Sequence, residues 1–123
     1  MQPNMFMWPG LLKSLLDSDI HIILDHTLAS KNSRYNRNMI RGSEDATWLT
    51  IPYLNFSRNK SISQLALNTS CKSKQKILNK FQNRYSRSKY FDHSFAVLKN
   101  SLQSAINEST LLVDAYESFL VSL

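Results

Sequence analysis

The apolar positions predict one short helix and several extended segments in the first half of the chain and fall at helical spacing in the second half. Behind Trp8-Pro9-Gly10, the residues Leu11, Leu12, Leu15 and Leu16 make one apolar helical face, which predicts a short helix with Pro9 in its first turn. Ser18-Asp19 breaks that pattern, and Ile20, Ile22, Ile23 and Leu24 form a compact β-branched run of the kind that becomes a buried strand ending at Asp25-His26. Ser30 to Arg34 reads as a polar loop. Tyr35 to Arg41 alternates well enough to extend, Gly42-Ser43-Glu44-Asp45 reads as a turn, and Thr47-Trp48-Leu49-Thr50-Ile51 is a strand stopped by Pro52. These two extended segments predict a hairpin. After the polar loop Asn55 to Lys60, the residues Ile62, Leu65 and Leu67 predict a further short strand.

From Lys72 onward the period changes. Ile77, Leu78, Phe81 and Tyr85 share a helix face opposite Lys74, Lys76, Lys80 and Arg84. Asp92 is placed to cap a next helix with the stripe Phe95, Leu98, Leu102 and Ile106, and Thr110 to cap a last one carrying Leu112, Ala115, Tyr116 and Phe119. The expected class is α/β or α+β, with a short N-terminal βα and β-hairpin region followed by three C-terminal helices. No internal repeat or low-complexity segment interrupts it.

A chain of 123 residues, 42% hydrophobic, suffices for one core, so residues 1–123 are expected to form a single domain. Its longest apolar runs fall far below the roughly 20 residues that span a bilayer. The opening Met1-Gln2-Pro3-Asn4 lacks a basic region, and Lys13 and Ser14 break the stretch Leu11 to Leu16, so no signal peptide is expected and the cytoplasm is the expected location. Cys71 is the single cysteine; it excludes an internal disulfide and a thiolate cluster, and it reads as an ordinary surface thiol. The net charge of +6 points to an anionic partner: nucleic acid, an acidic membrane surface or a phosphorylated small molecule. Seven of the fifteen basic residues lie between Lys72 and Lys89 and four between Lys31 and Arg41, so two separate basic features need separate explanations.

Several residues carry candidate chemistry. Asp25 and His26 follow a predicted strand, where α/β folds bind ligands; Asp25 could act as a general base with His26 sharing the task, or Asp25 could simply cap a turn. Gln2, Asn4 and Gly10 lie at the mouth of the first helix, where free amides hold anions, although a plain connection satisfies the same pattern and no Gly-rich phosphate loop is present. In an extended Asn36-Arg37-Asn38, Arg37 takes one face and the asparagines the other, so that Arg37 could pair with phosphate or carboxylate while Lys31, Arg34 and Arg41 add field. Trp48 serves either as a stacking platform or as core. The segment Lys72 to Lys89 could bind nucleic-acid backbones with Phe81, Tyr85, Tyr90 and Phe91 stacking on bases, or it could be a solvated lysine face over a buried aromatic one. With three dispersed histidines and one cysteine, neither a metal nor a cofactor is expected.

Gln2-Pro3-Asn4 followed by Trp8-Pro9-Gly10, the short helix and Ile20 to Leu24 closed by Asp25 resembles the amino-terminal signature of the WbqC-like family. Lys31-Asn32-Ser33, Asn36-Arg37-Asn38 and Trp48-Leu49-Thr50-Ile51-Pro52 resemble its second block, and Tyr85 with Tyr90-Phe91 its third, in order over roughly the first ninety residues. The resemblance implies a role in bacterial surface polysaccharide such as O-antigen. It further implies acyl or aminoacyl (glycine) transfer to a nucleotide-activated amino sugar. Read with the residues themselves, the expected site is Gln2, Asn4, Asp25, Asn36, Arg37 and Asn38, with Asp25 as base and Arg37 as anion clamp. A basic RNA- or DNA-binding module, or a fragment acting through protein interaction, is the alternative. The family carries a short hydrophobic strand before the Gln-Pro and continues beyond the helix after Tyr90-Phe91, so an exposed sheet edge, marginal stability or oligomerisation are further expectations.

Overall fold

The computed structural model describes residues 1–54, 56–105 and 111–121. The chain is α+β: a two-stranded antiparallel hairpin with one helix before it and three after it. Helix α1 spans Pro9–Leu16, with proline opening it and Asp17 closing it. Leu11, Leu12 and Leu15 are half-buried, whereas Leu16, expected on the same face, is exposed.

The run Ile20 to Leu24 extends, but it is not a buried strand. Among the described residues Met1 alone pairs with its backbone: the Leu24 amide donates to the Met1 carbonyl at 2.7 Å and the Met1 ammonium donates to the Ile22 carbonyl, the spacing of a parallel pair centred on Ile23. Ile20, Ile22 and Leu24 therefore face outward while His21 and Ile23 turn in, as the period of an extended chain requires. Composition favours the extended backbone, but burial needs a flanking strand that the described residues do not supply.

Strand β1 (Arg37–Ile40) pairs with β2 (Thr47–Thr50) in the register Arg37↔Thr50, Asn38↔Leu49, Met39↔Trp48 and Ile40↔Thr47. Alternation sends Leu49 to the core and leaves Trp48 and Thr50 outside. The turn between the strands closes tightly over Gly42, where a Cβ would lie 1.5 Å from the Asp45 carbonyl oxygen. Gly42→Ala must therefore displace backbone, and we expect it to lower the unfolding free energy by about 1–3 kcal/mol in urea denaturation.

No strand forms at residues 62–67. Ile62–Gln64 is a 3-10 turn whose start is closed by the Gln64 side chain accepting from the Ser61 amide at 3.0 Å. Ile62, Leu65 and Leu67 are nevertheless completely buried, because the three-residue turn rotates the first two onto one side and the bridge Tyr53↔Leu67 holds the third. Helix α2 (Cys71–Tyr85) starts on Ser70, whose hydroxyl accepts from the Ser73 amide; Cys71 is exposed at its first position. Helix α3 (Phe91–Ala105) has Asp92 inside its first turn rather than capping it, still well placed for the positive end of the helix. Helix α4 (Leu112–Val121) buries Leu112, Ala115, Tyr116 and Phe119, the predicted stripe. The expected positions Ile106 and Thr110 lie outside the described residues. The helix α3 packs on α2 and α4, α4 on the 3-10 turn, and α2 on β2. One buried cluster runs from Met5 through the hairpin and the 3-10 turn to Phe119.

Candidate functional site: a cationic cleft beside the hairpin

The loop before β1 builds the site. Asn32 takes the left-handed conformation (φ 68°), which asparagine tolerates better than most residues. Its carbonyl accepts from the Arg37 guanidinium at 2.7 Å, and the Ser33 carbonyl accepts from Arg37 Nε at 3.0 Å. The same guanidinium lies over the Trp48 indole, 4.3 Å from the ring centroid. Two carbonyls and one aromatic face thus fix a cation whose remaining donors stay available. Beside it opens a cavity of about 280 Å³ lined by Ser30, Lys31, Asn32, Ser33, Asn36, Arg37, Thr50, Tyr53 and Phe56. Two cations and no carboxylate face it among the described residues, and Tyr53 and Phe56 supply an apolar wall with ring centroids 5.6 Å apart.

A second cavity, of about 330 Å³, shares Ser30 and Ser33 with the first and includes Gln2, Asn4, Arg34 and Tyr35. The two blocks separated in sequence therefore meet at one surface. Their asparagines, however, serve the backbone. The Asn36 amide donates to the Ile51 carbonyl at 2.6 Å and the Asn38 amide to the Phe6 carbonyl. The amide nitrogen of buried Asn4, turned toward the carbonyls around it, donates to Phe6 at 3.2 Å and Arg34 at 3.1 Å. These bonds staple the N-terminal segment to the hairpin. Gly10 has a packing reason of its own: a Cβ there would lie 1.7 Å from the Trp8 ring.

Asp25 and His26 line neither cavity. Asp25 is half-buried and its carbonyl accepts from the Ser63 amide at 2.9 Å, while His26 is exposed. Their segment still adjoins the site, because Gln2 donates to the Thr27 hydroxyl at 3.4 Å. Sequence reasoning passed over Ser30, Ser33, Thr50, Tyr53 and Phe56. Tyr53 was accessible to the rule applied to Asp25, since it stands just beyond the carboxyl end of β2.

Tyr53 carries a buried hydroxyl with no well-formed hydrogen bond. Burial pushes its pKa up to about 12, with Tyr35 adding to the rise and Ser33 and Arg37 opposing it. Burial also raises Tyr116. Both are acids held neutral, so the stability they lend is complete below the ordinary value of 10 and is lost as pH rises toward the folded values. We expect unfolding free energy to decline above pH 10, and a Tyr53→Phe variant to lose the tyrosinate absorbance step near pH 12. At neutral pH Tyr53 is a donor, not a base.

On the second basic segment, Phe81 lies 4.7 Å from Tyr85 and 6.4 Å from Phe95, and Phe91 lies 5.0 Å from Phe95. These rings pack on one another between α2 and α3, leaving Tyr90 exposed with Lys89 over it at 5.2 Å. Among the described residues no group of three or more His, Cys, Asp or Glu could hold a metal, and no helix is long and apolar enough to cross a membrane.

Hairpin, helices and cleft define an α+β protein with a small cationic site built from its N-terminal blocks. The model of the WbqC-like protein family matches residues 2–122, and the chain belongs to that family. No curated protein and no solved structure matches it.

Proposed function

We propose that this protein acts in bacterial surface-polysaccharide biosynthesis, such as that of O-antigen, by transferring an acyl or aminoacyl group, glycine among them, to a nucleotide-activated amino sugar. The observation that carries the proposal is the cleft itself: Lys31 and a prefixed Arg37 face a cavity walled by Tyr53 and Phe56. A fixed guanidinium beside a second cation suits the sugar-side phosphate, and an aromatic wall suits the face of a pyranose ring. In the transfer, the amine nitrogen forms an amide bond with the carbonyl carbon of an acyl ester or thioester, the bond from that carbon to the donor's oxygen or sulfur breaks, and the proton shed by nitrogen passes through a base to the departing atom. Asp25, with His26, is assigned that role from beside the cleft, on the segment that Gln2 ties to the site at Thr27.

The test is calorimetric titration with uridine-diphosphate amino sugars. Lys31→Ala and Arg37→Lys are each expected to weaken binding by about tenfold or more, since a charged hydrogen bond contributes roughly 1.5–3 kcal/mol. Unchanged affinity in both variants would remove the cleft from the site.

A further inference from the structure

On the other side of β2 a groove of about 340 Å³ runs between that strand and α2, and its walls include Trp48, Thr50, Pro52, Lys76, Ile77 and Lys80. Its size falls at the lower end of the roughly 300–1,000 Å³ typical of small-ligand clefts. Thr50 lines both this groove and the Lys31–Arg37 cleft, so the two sites are neighbours across one exposed residue. Trp48 joins them as well: Arg37 covers its ring from one side, and the residue, 38% exposed, forms part of the groove wall.

The charge of the groove is one-sided. Helix α2 contains no acidic residue, and the only ion pair among the described residues is Lys13 with Asp17 in α1. Lys80 is held in place by donating to the Trp48 carbonyl, while the exposed Lys76 stands one helical turn away on the same face, about 6 Å along the axis. An aromatic plate next to two lysines, over an apolar floor of Pro52 and Ile77, suits a ligand that is planar at one end and anionic at the other.

We propose that this groove takes the nucleoside half of the activated sugar, with the base against Trp48, the nucleoside-side phosphate on Lys76 and Lys80, and the diphosphate crossing Thr50 to Arg37. This assignment rests on the reading of the adjoining cleft as the sugar end of the same ligand. It gives the protein a recognition element for the nucleotide that is independent of the sugar.

Tryptophan fluorescence of the full chain in a Trp8→Phe background, with Trp48 as reporter, tests it using uridine diphosphate, inorganic pyrophosphate and uridine-diphosphate N-acetylglucosamine. Uridine diphosphate is expected to quench Trp48 and pyrophosphate to bind with little quenching. Lys76→Ala/Lys80→Ala should weaken uridine diphosphate by about tenfold or more, whereas Lys31→Ala should weaken the sugar nucleotide more than uridine diphosphate. If the double variant fails to fold, Lys76→Glu alone, at an exposed position, gives the same readout. Uridine diphosphate binding that is indifferent to Lys76, with sugar-nucleotide binding still dependent on Lys31, overturns the groove assignment and leaves the cleft. Nucleotide binding dependent on Lys76 but indifferent to Lys31 and to the sugar supports the groove and removes the cleft. A single-stranded oligonucleotide that binds far more tightly than uridine diphosphate, with steep salt dependence, overturns the assignment in favour of nucleic acid.

Discussion

Tyr116→Ala is expected to lower the unfolding free energy by about 3–5 kcal/mol, a large fraction of the roughly 5–15 kcal/mol that holds a domain of this kind together. Tyr116 is completely buried and heads the fully buried side chains in volume. It sits on the inner stripe of α4, and its hydroxyl lies 3.1 Å from His21 Nε2 with the rings 6.1 Å apart. The same hydroxyl reaches the Met1 thioether at 4.0 Å. One side chain therefore joins the last helix to the opening residue and to the extended run 20–24, which has little else to hold it. Tyr116→Phe separates the contributions: it keeps the ring, removes the hydroxyl and should lose only about 0.5–1.5 kcal/mol. Urea titrations followed by far-UV circular dichroism measure both. Equal losses in the two variants would mean that the hydroxyl, and not the packing, secures α4.

The helices and the hairpin were legible because their signals are local. Ile77, Leu78, Phe81 and Tyr85 announce α2, and Thr47 to Ile51 stopped by Pro52 announces β2, without reference to anything distant. Ile20 to Leu24 and Ile62 to Leu67 were misread for a different reason. A β-branched run states that the chain extends but not whether another strand covers it, and a cluster of core residues states burial but not the backbone that achieves it. The site divides the same way. Lys31 and Arg37 were found by charge and spacing, and the structure brings them to one cavity. Asn4, Asn36 and Asn38 look like ligand donors in a sequence, yet the backbone carbonyls of Phe6, Arg34 and Ile51 take those donors, and the pairing becomes visible only once the chain is folded. Tyr53 and Phe56 join the wall through the pairing of Tyr53 with Leu67, a contact that no local pattern encodes.

Asp25→Asn is expected to lower turnover by about 10²–10⁴-fold while leaving ligand affinity and unfolding nearly unchanged, the range by which general bases contribute. The exchange is nearly isosteric, and the contact that anchors this position uses the main chain: the Asp25 carbonyl accepts from the Ser63 amide at 2.9 Å. No ion pair involving Asp25 is lost, since Lys13 with Asp17 is the only one among the described residues. Two residues on, Thr27 contacts Gln2 in the wall of the second cavity, so the carboxylate lies on a segment tied to the site. The prediction separates two ways of making the amide. If the carboxylate takes the proton as nitrogen attacks, the loss appears in kcat and adding external base recovers part of it. If the sugar amine arrives already neutral, the wild-type and Asp25→Asn rates converge as pH approaches the pKa of that amine, and a small effect at all pH values would leave Asp25 as a turn residue. Measuring kcat and KM for both proteins across pH 6–9 therefore decides whether Asp25 moves the proton of the amine or only holds a turn beside the cleft.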